Sequence, residues 1–558
     1  MGIPWSEVFR ERRRAQREVV KWVGSLPVIR AVLRKLDVRG IVDRLCPIRE
    51  IADYTHGEIV ELLVANRLTS PQPLYAVHEW ADECAAATMW KMEPSKLNDD
   101  RLARTLDATA EELSGIQGAV AAQGIRAYEI KADQLHVDIT SFMFEGAYEE
   151  VDQDEKYPCI RRGYNAQRDF KRKQVRVGIG TTKDGGVPLL HRTFDGNRTD
   201  STTLIKTIDF FENLRTEAQI KSVIYVGDSK LTAKGNLPKL LCLDAHFVAP
   251  GERDAQTKQD ILSLDPESWT ELSYASESEL KKREKAPKEE WNRFWGQEVT
   301  RELTVSARDS GKETESRSYR MVFVRSAEEE RAAYKNRERQ MAKADEELVR
   351  IQRGIPRYYK NEEQVKKKVH EVLTKRRVTA FYHIEVKTRG ERPCLEWSHS
   401  QEALKYDEQT KGRYVLLTNL AGEEYSMDDV LRIQKEQYRV EHRFSHWKGP
   451  VGVCPIFLKT NRRIAALIMV TALALMVFCI IEREVRRKLG DKDGYTHGFL
   501  PENRRSRPTG KKIFNAVNNV QAIIFEDDQR IDRILNITPK ARRVYDALEV
   551  QNEDLIEI

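Results

Sequence analysis

Paired cysteines are what this sequence most plainly lacks. Its 558 residues include seven cysteines, widely scattered and never spaced as Cys-x-x-Cys. That argues against a zinc site or a disulfide framework and fits a reducing, cytoplasmic setting. A dominant charge is lacking too: 94 basic residues stand against 88 acidic ones, a net of +6. Any polyanion must then be met by local patches rather than by the overall field. The opening stretch MGIPWSEVFRERRRAQ has no apolar core, so a signal peptide is not expected there. No internal repeat occurs. Long apolar runs are absent with one exception, IAALIMVTALALMVFCII at 464–481, interrupted only by Thr471. As a helix it would reach ~27 Å, near the hydrocarbon thickness of a bilayer. It is solitary, however, and leads directly into EREVRRKL, and Ala465, Ala466, Ala472 and Ala474 suit close packing. A helix apolar all round is what the middle of a large domain requires, so the expectation is a core helix and no membrane partner.

What is present suffices for several folded parts: 40% of the residues are hydrophobic, and the length exceeds what one core organises. Residues 1–130 read as a helical N-terminal domain, a candidate for binding DNA ends. THGEIVELLVANRL begins with Thr55 and carries Glu58 three positions on, a capping box, then Ile59, Leu62 and Leu63 at helical spacing. In NDDRLARTLDATAEEL, Asn98 is the N-cap, and Asp99 and Asp100 complement the helix dipole.

From 131 to 250 the texture changes. QLHVDITSF alternates, with Leu135, Val137 and Ile139 on one side and His136, Asp138 and Thr140 on the other. QVRVGIGTT and GVPLLHRTF are further strands joined by a KDGG turn. A helix capped by Asp200 or Ser201 follows, then the buried strand of SVIYVGDSKL, a helix near 230–241 and the strand AHFVAP. Residues 251–412 read as an insertion. It contains the charged helical stretch EEERAAYKNRERQMAKADEELVRIQ and the strand TAFYHIEVK. GRYVLLTN opens the second part of the core, 413–500. There SMDDVLRIQKEQYRVEHRFSHWKGP is expected as one helix, capped by Ser426 and Asp429 and stopped at Gly449-Pro450. Residues 501–558 are read as a basic linker, PENRRSRPTGKK, and a short helical tail.

Three carboxylates stand out. Asp138 interrupts a strand, Asp228 sits just past the end of VIYV, and Glu441 is on the late helix. Taken singly, Asp228 reads as a helix cap and Glu441 as a surface residue. Taken together, they match the oxygen ligands that hard divalent cations require. Three carboxylates drawn together would repel one another without a cation.

HVDITSF, GVPLLHRTFDGNRTDSTTL, VIYVGDSKLTAKGNLPKL, GRYVLLTN and YRVEHRF follow one another in this chain in an order that resembles the DDE transposases of bacterial insertion sequences, in the insertion sequence four superfamily. THGEIVELLVANRLTSPQPLYAVHEWADE and LNDDRLARTLD resemble the helical N-terminal domain of one branch, so the likeness covers most of residues 25–510. It implies an α/β fold: a ribonuclease H-like catalytic core with a mixed sheet, interrupted by a large insertion, and an all-helical N-terminal domain. It also implies that Asp138, Asp228 and Glu441 are the catalytic, metal-holding residues, with two Mg2+ ions, or Mn2+, and no other cofactor. The implied partners are double-stranded DNA, as terminal inverted repeats and as target, and a second copy of the chain on that DNA. The implied reaction is cleavage at element ends followed by strand transfer of the freed 3′-hydroxyl. The subgroup signature is Tyr, two residues, Arg, three residues, Glu, six residues, Lys. Counted from Glu441, Lys448 is in place, but Gln437 holds the Arg position and Gln434 the Tyr position. Neutral glutamines cannot make the charge-assisted bonds to phosphate, which leaves Arg439, Arg443 and Tyr438 as candidates to compensate.

Further DNA contacts are expected from IRRGYNAQRDFKRKQVR, at 160–176, through Arg161, Arg162, Lys171, Arg172 and Lys173. The basic run from Arg504 to Lys512 is a second candidate. Trp291 and Trp295 are read as packing residues before stacking ones, and His136 as a locally hydrogen-bonded one. The alternatives are a ribonuclease H-like nuclease without strand transfer, a transposase-derived DNA-binding protein and, furthest away, a protein anchored by 464–481.

Overall fold

The computed structural model describes residues 18–49, 51–144, 156–165, 171–217, 222–233, 235–243, 245–306, 314–390, 392–449, 458, 460–525, 530–551 and 554. The opening stretch to residue 17, residues 166–170 of the basic segment and the expected helix stop at Pro450 lie outside them. The chain divides into two compact units, Met1–Leu231 with Glu436–Ile558, and Thr232–Lys435.

The first unit opens with strand β1 (Glu18–Trp22). Seven helices follow: α1 (Leu26–Lys35), α2 (Val38–Leu45), α3 (His56–Thr69), α4 (Val77–Glu83), α5 (Ala86–Met89), α6 (Asp99–Glu111) and α7 (Leu113–Tyr128). The capping box at Thr55 forms: the Glu58 N–H donates to Thr55 Oγ1 at 3.2 Å, and the Thr55 N–H to Glu58 Oε2 at 2.7 Å. Asn98 caps α6 by accepting the Arg101 N–H at 2.9 Å. These side chains satisfy helix-start donors that would otherwise lack partners.

The sheet of this unit is mixed. Strand β2 (Gln134–Phe144) pairs antiparallel with β4 (Lys173–Thr182) and parallel with β6 (Ile224–Val226). Strands β3 (Arg161–Arg162) and β5 (Pro188–Asp195) both pair with β4. Helix α8 (Asp200–Glu217) lies on β2, β4 and β5. The Gly-x-Gly of VGIGTT makes that approach possible. A Cβ at Gly178 would come within 2.5 Å of Thr207 Oγ1, and one at Gly180 within 2.6 Å of the Phe211 ring.

The second unit contains α9 (Leu237–Cys242), β7 (His246–Pro250), α10 (Ala255–Ser263), β8 (Thr270–Leu272), α11 (Glu277–Arg283), β9 (Phe294–Ser306) and β10 (Thr314–Ser326). It continues with α12 (Ala327–Gly354), α13 (Glu362–Arg376), β11 (Tyr382–Arg389), β12 (Arg392–His399), α14 (Gln401–Thr410), β13 (Arg413–Thr418) and α15 (Met427–Lys435). Its antiparallel strands run β7-β13-β10-β9-β8. The charged stretch is helix α12. Its stripe of Met341, Ala344, Leu348 and Ile351 buries against Val365, Val369 and Val372 of α13 and Leu395 of the β11–β12 hairpin, while its charges stay on the wet face.

The chain then returns to the first unit as α16 (Tyr438–Lys448), α17 (Asn461–Leu489), α18 (Gly510–Val517), β14 (Gln521–Phe525), β15 (Arg530–Leu535) and α19 (Pro539–Ala547). Helix α17 holds the long apolar run. Among the described residues it is the one helix long and apolar enough to cross a membrane, and that run is wholly buried. It packs against α1, α3, α6, β5 and α16. Its polar interruption has a partner: Thr471 Oγ1 accepts the Trp447 indole N–H at 3.0 Å and donates to the Ile468 carbonyl at 2.8 Å.

Three expectations change. The N-terminal segment is not all helix, because β1 pairs antiparallel with β14, which pairs with β15. The β-branched residues of EVVKW and QAIIF favour that pairing. The stretch from 501 is not a free linker: Thr496 and Ser506 form a bridge, and Gly510 lies so near Phe478 that a Cβ would approach its ring to 2.2 Å. The expected single helix at 426–449 is two, α15 and α16, with a turn at Glu436–Gln437 between them. Its predicted cap does form, with the Asp429 N–H donating to Ser426 Oγ at 3.3 Å.

Candidate active site

Strand β2 sends His136, Asp138, Thr140 and Phe142 to the same side. The parallel register of β2 with β6 pairs His136 with Val226. Asp138 and Asp228 each lie two residues past that pair, Asp228 just beyond the end of β6. The charge on Asp228 is felt at Asp138. The half-buried Asp138 carboxyl is pushed up to about 7, first by burial and then by Asp228, with Glu441 adding to the rise. The Ile139 N–H, donated to Asp138 Oδ1 at 2.7 Å, and the Lys230 charge work against that rise. Asp228 is partly open, its side chain 39% exposed. It accepts the Lys230 N–H at 3.0 Å and has Lys230 Nζ 3.8 Å away.

Helix α16 lies along the same face and is fixed at both ends. At its start Gln437 Nε2 donates to the Val137 carbonyl at 3.0 Å, and Gln437 Oε1 meets His136 Nδ1 at 3.0 Å. At its end the fully buried Trp447 stands edge-on to Phe142, centroids 4.9 Å apart at 82°. Between these anchors Glu441 is exposed, one helical turn from Gln437 and on its side of the helix. Lys448 is exposed two turns beyond Glu441. His136 is fully buried, and burial pushes its pKa down to about 4. Its Nε2 meets Gln134 Nε2 at 3.0 Å. The neutral tautomer with the proton on Nδ1 satisfies both contacts.

The three carboxylates therefore share one neighbourhood. Among the described residues, no three His, Cys, Asp or Glu side chains converge tightly enough to form a ready-made metal cage. The donor set nevertheless fits a hard divalent cation: oxygen ligands only, with one carboxyl destabilised as an anion by a second beside it.

The other expected residues divide. Tyr438 is 59% exposed, and Arg439 stacks on its ring at 5.7 Å while pairing with Glu436 at 3.5 Å. Arg161, Arg162, Lys171 and Arg172 are exposed, and Lys173 is half-buried. Lys173 lies opposite Phe144 in the β2–β4 register, about 20 Å along the strand from Asp138. Arg443 corrects an expectation. It is only 5% exposed. Its guanidinium donates to the Gly186 carbonyl at 3.0 Å and to the Gly185 carbonyl, and it pairs with Glu482 at 3.5 Å. It locks α16 to the β4–β5 turn and to α17 and does not face a polyanion. The turn has room for it because Gly185 and Gly186 adopt positive φ and carry no side chain. Trp291 and Trp295 are likewise engaged, Trp291 by Arg283 and Trp295 by Arg293 and Arg325. Sequence reasoning missed two contributors, Lys230 beside Asp228 and Gln437 as an anchor. The four-residue spacing of Gln437 and Glu441 was the available signal for the second.

Comparison with known proteins identifies the family. The family described as "Transposase DDE domain" matches residues 131–477, and "Domain of unknown function (DUF4277)" matches residues 18–116. No curated protein matches. A solved structure that matches is the cryo-EM structure of the piggyBac transposase synaptic complex with hairpin DNA. It is 10% identical, with 84% of this chain and 78% of that chain covered at a TM-score of 0.34, a likeness too weak to carry an argument. The transposase match spans more than half of the sequence, so the chain belongs to the DDE transposases, divalent-metal-dependent enzymes that cut DNA strands and transfer them to new DNA.

Proposed function

We propose that Asp138, Asp228 and Glu441 are the catalytic carboxylates of this transposase, and that together they hold two Mg2+ ions, for which Mn2+ substitutes. The observations that support this reading are the β2–β6 pairing of His136 with Val226, two residues before Asp138 and Asp228 respectively, and the anchoring of α16, which carries Glu441, along β2. The chemistry supplied by bound cations is activation of the attacking oxygen and stabilisation of the leaving one. The chain's own residues prepare the site. The neighbouring Asp228 and burial make Asp138 costly to ionise when alone, so the fold favours binding positive charge there. Lys448, on the same helix side as Glu441, is suited to a backbone phosphate. The exposed Arg161, Arg162, Lys171 and Arg172 are suited to more distant ones.

The substrate in this reading is a pair of terminal inverted repeats. One strand is hydrolysed at each end, and the freed 3′-hydroxyl attacks target DNA. Two ends call for two protomers, so a homodimer assembles on DNA in the cytoplasm. The order of sequence motifs supports the insertion sequence four superfamily, in the branch with a helical N-terminal domain. The signature Tyr and Arg are replaced in this chain by Gln434 and Gln437.

The test is a labelled repeat end incubated with Mg2+. Wild type should nick it and join it to a target plasmid. Asp138→Ala should lower nicking by more than about 10³-fold while binding the same end unchanged. Nicking by that variant at the wild-type rate would remove Asp138 from the site. Nicking without joining by the wild type would favour a plain nuclease.

A further inference from the structure

We propose that Gln437 is a positioning residue, holding Glu441 beside Asp138 by clamping the start of α16 onto β2 through His136 and the Val137 carbonyl. This inference rests on the functional reading above. Four observations carry it.

Gln437 occupies the N-cap position of α16 yet makes no side-chain capping bond. Its amide instead uses both ends on a strand 300 residues away, donating to the Val137 carbonyl and meeting His136 Nδ1, each at 3.0 Å. The neighbouring Glu436 extends the clamp. Its Oε2 accepts from Gln134 Nε2 at 3.2 Å and lies 3.5 Å from Lys183 Nζ. With the proton of His136 on Nδ1, each contact in the chain Gln134–His136–Gln437–Val137 joins a donor to an acceptor, as a buried polar network requires.

Geometry connects the clamp to the carboxylates. Glu441 is four residues past Gln437, about 6 Å along the helix on the same side. Asp138 is two residues past His136, about 6.6 Å along the strand on the same face. The second anchor, Trp447 on Phe142, shows that helix and strand advance in the same direction. Pinning Gln437 to His136 therefore sets how far Glu441 stands from Asp138. The amide that replaces the signature arginine is thus turned inward, to the protein, and is not offered to a phosphate.

The full-length protein tests this with Gln437→Ala and with Gln437→Met, which keeps the volume without the hydrogen bonds. Four quantities are read: hydrogen exchange of the peptides covering 438–448, Mn2+ affinity by electron paramagnetic resonance without DNA, affinity for a repeat end, and cleavage at saturating DNA. The expected result is exchange faster by about tenfold or more. Mn2+ binding should weaken and cleavage slow by about 10- to 100-fold, with end affinity within about twofold of wild type. Unchanged exchange in both variants would overturn the clamp. Faster exchange with unchanged Mn2+ affinity and cleavage would reduce it to a structural contact and overturn the positioning role. Weaker end affinity with normal cleavage would make Gln437 a DNA contact and overturn it equally. A wild type that binds no Mn2+ and cuts no DNA would overturn the functional reading instead, and the exchange result would still decide whether the clamp exists.

Discussion

Arg443 and Arg161 show how differently two arginines of one basic chain are employed. The first is buried against two glycine carbonyls and Glu482; the second is exposed on a two-residue strand beside Arg162. The slope of log affinity for DNA against log salt should therefore fall by about 1.8 in Arg161→Ala/Arg162→Ala, roughly 0.9 for each phosphate no longer neutralised. In Arg443→Ala the slope should stay put while stability drops by about 1–3 kcal/mol, the cost of leaving the Gly185 and Gly186 carbonyls without their donor, since Glu482 keeps its pairing with Arg486. Filter binding across a salt series and thermal melts separate the two outcomes. A second residue-level consequence concerns His191, whose pKa burial pushes down to about 3. Unfolded, the same imidazole titrates near 6.5. Between those values the unfolded chain binds the extra proton, so this group's contribution is complete above pH 6.5 and is lost as pH falls. Glu61 and Asp138, both raised to about 7, act in the opposite sense and mask the trend in the wild type alone. The comparison is therefore with His191→Gln. From pH 7.5 to pH 5 the wild type should lose about 2 kcal/mol relative to the variant, read by denaturant unfolding at each pH. A constant difference would show that His191 is not buried as a neutral ring.

At the scale of elements, local patterns were legible and long-range partnerships less so. The alternation of QLHVDITSF gave β2 its two faces, and Thr55 and Asn98 marked helix starts that do form. These signals sit within a few residues and need no knowledge of the rest of the chain. The break between α15 and α16 was not legible. Its cause is a tertiary one: Glu436 and Gln437 satisfy bonds to β2 that compete with continuing the helix. The strand β1 escaped for a similar reason. Five residues pair with a segment some five hundred positions later, and an isolated strand of that length carries little signal of its own. The carboxylates fall between these cases. Asp138 was conspicuous because it broke an alternating strand, whereas Glu441 had only its motif to distinguish it from any other exposed helical glutamate.

For the whole molecule, the first unit is assembled from both ends of the sequence. Beyond the β1–β14 pairing, the Trp22 indole donates to the Asn518 carbonyl at 2.7 Å, and Arg34 forms a two-pronged pair with Asp554 at 3.0 and 2.9 Å. Lys35 reaches Glu549 at 2.9 Å, and Lys488 also pairs with it. Deleting residues 518–558 should therefore lower the thermal midpoint by more than about 5 °C and promote association through the bared edge of β1. Differential scanning fluorimetry and light scattering report both. An unchanged midpoint would mean that the tail is an appendage.

The stitching of β1 to β14 also bears on synthesis. At about 5–20 residues per second, β1 emerges from the ribosome roughly half a minute to more than a minute before its partner strand does. A nascent or truncated polypeptide lacks that closure, and any fragment ending before residue 441 also lacks Glu441, the third carboxylate of the proposed site. On the proposed site, then, a ribosome must pass residue 441 before its product holds all three carboxylates, and must go on to β14 before the edge of β1 is covered.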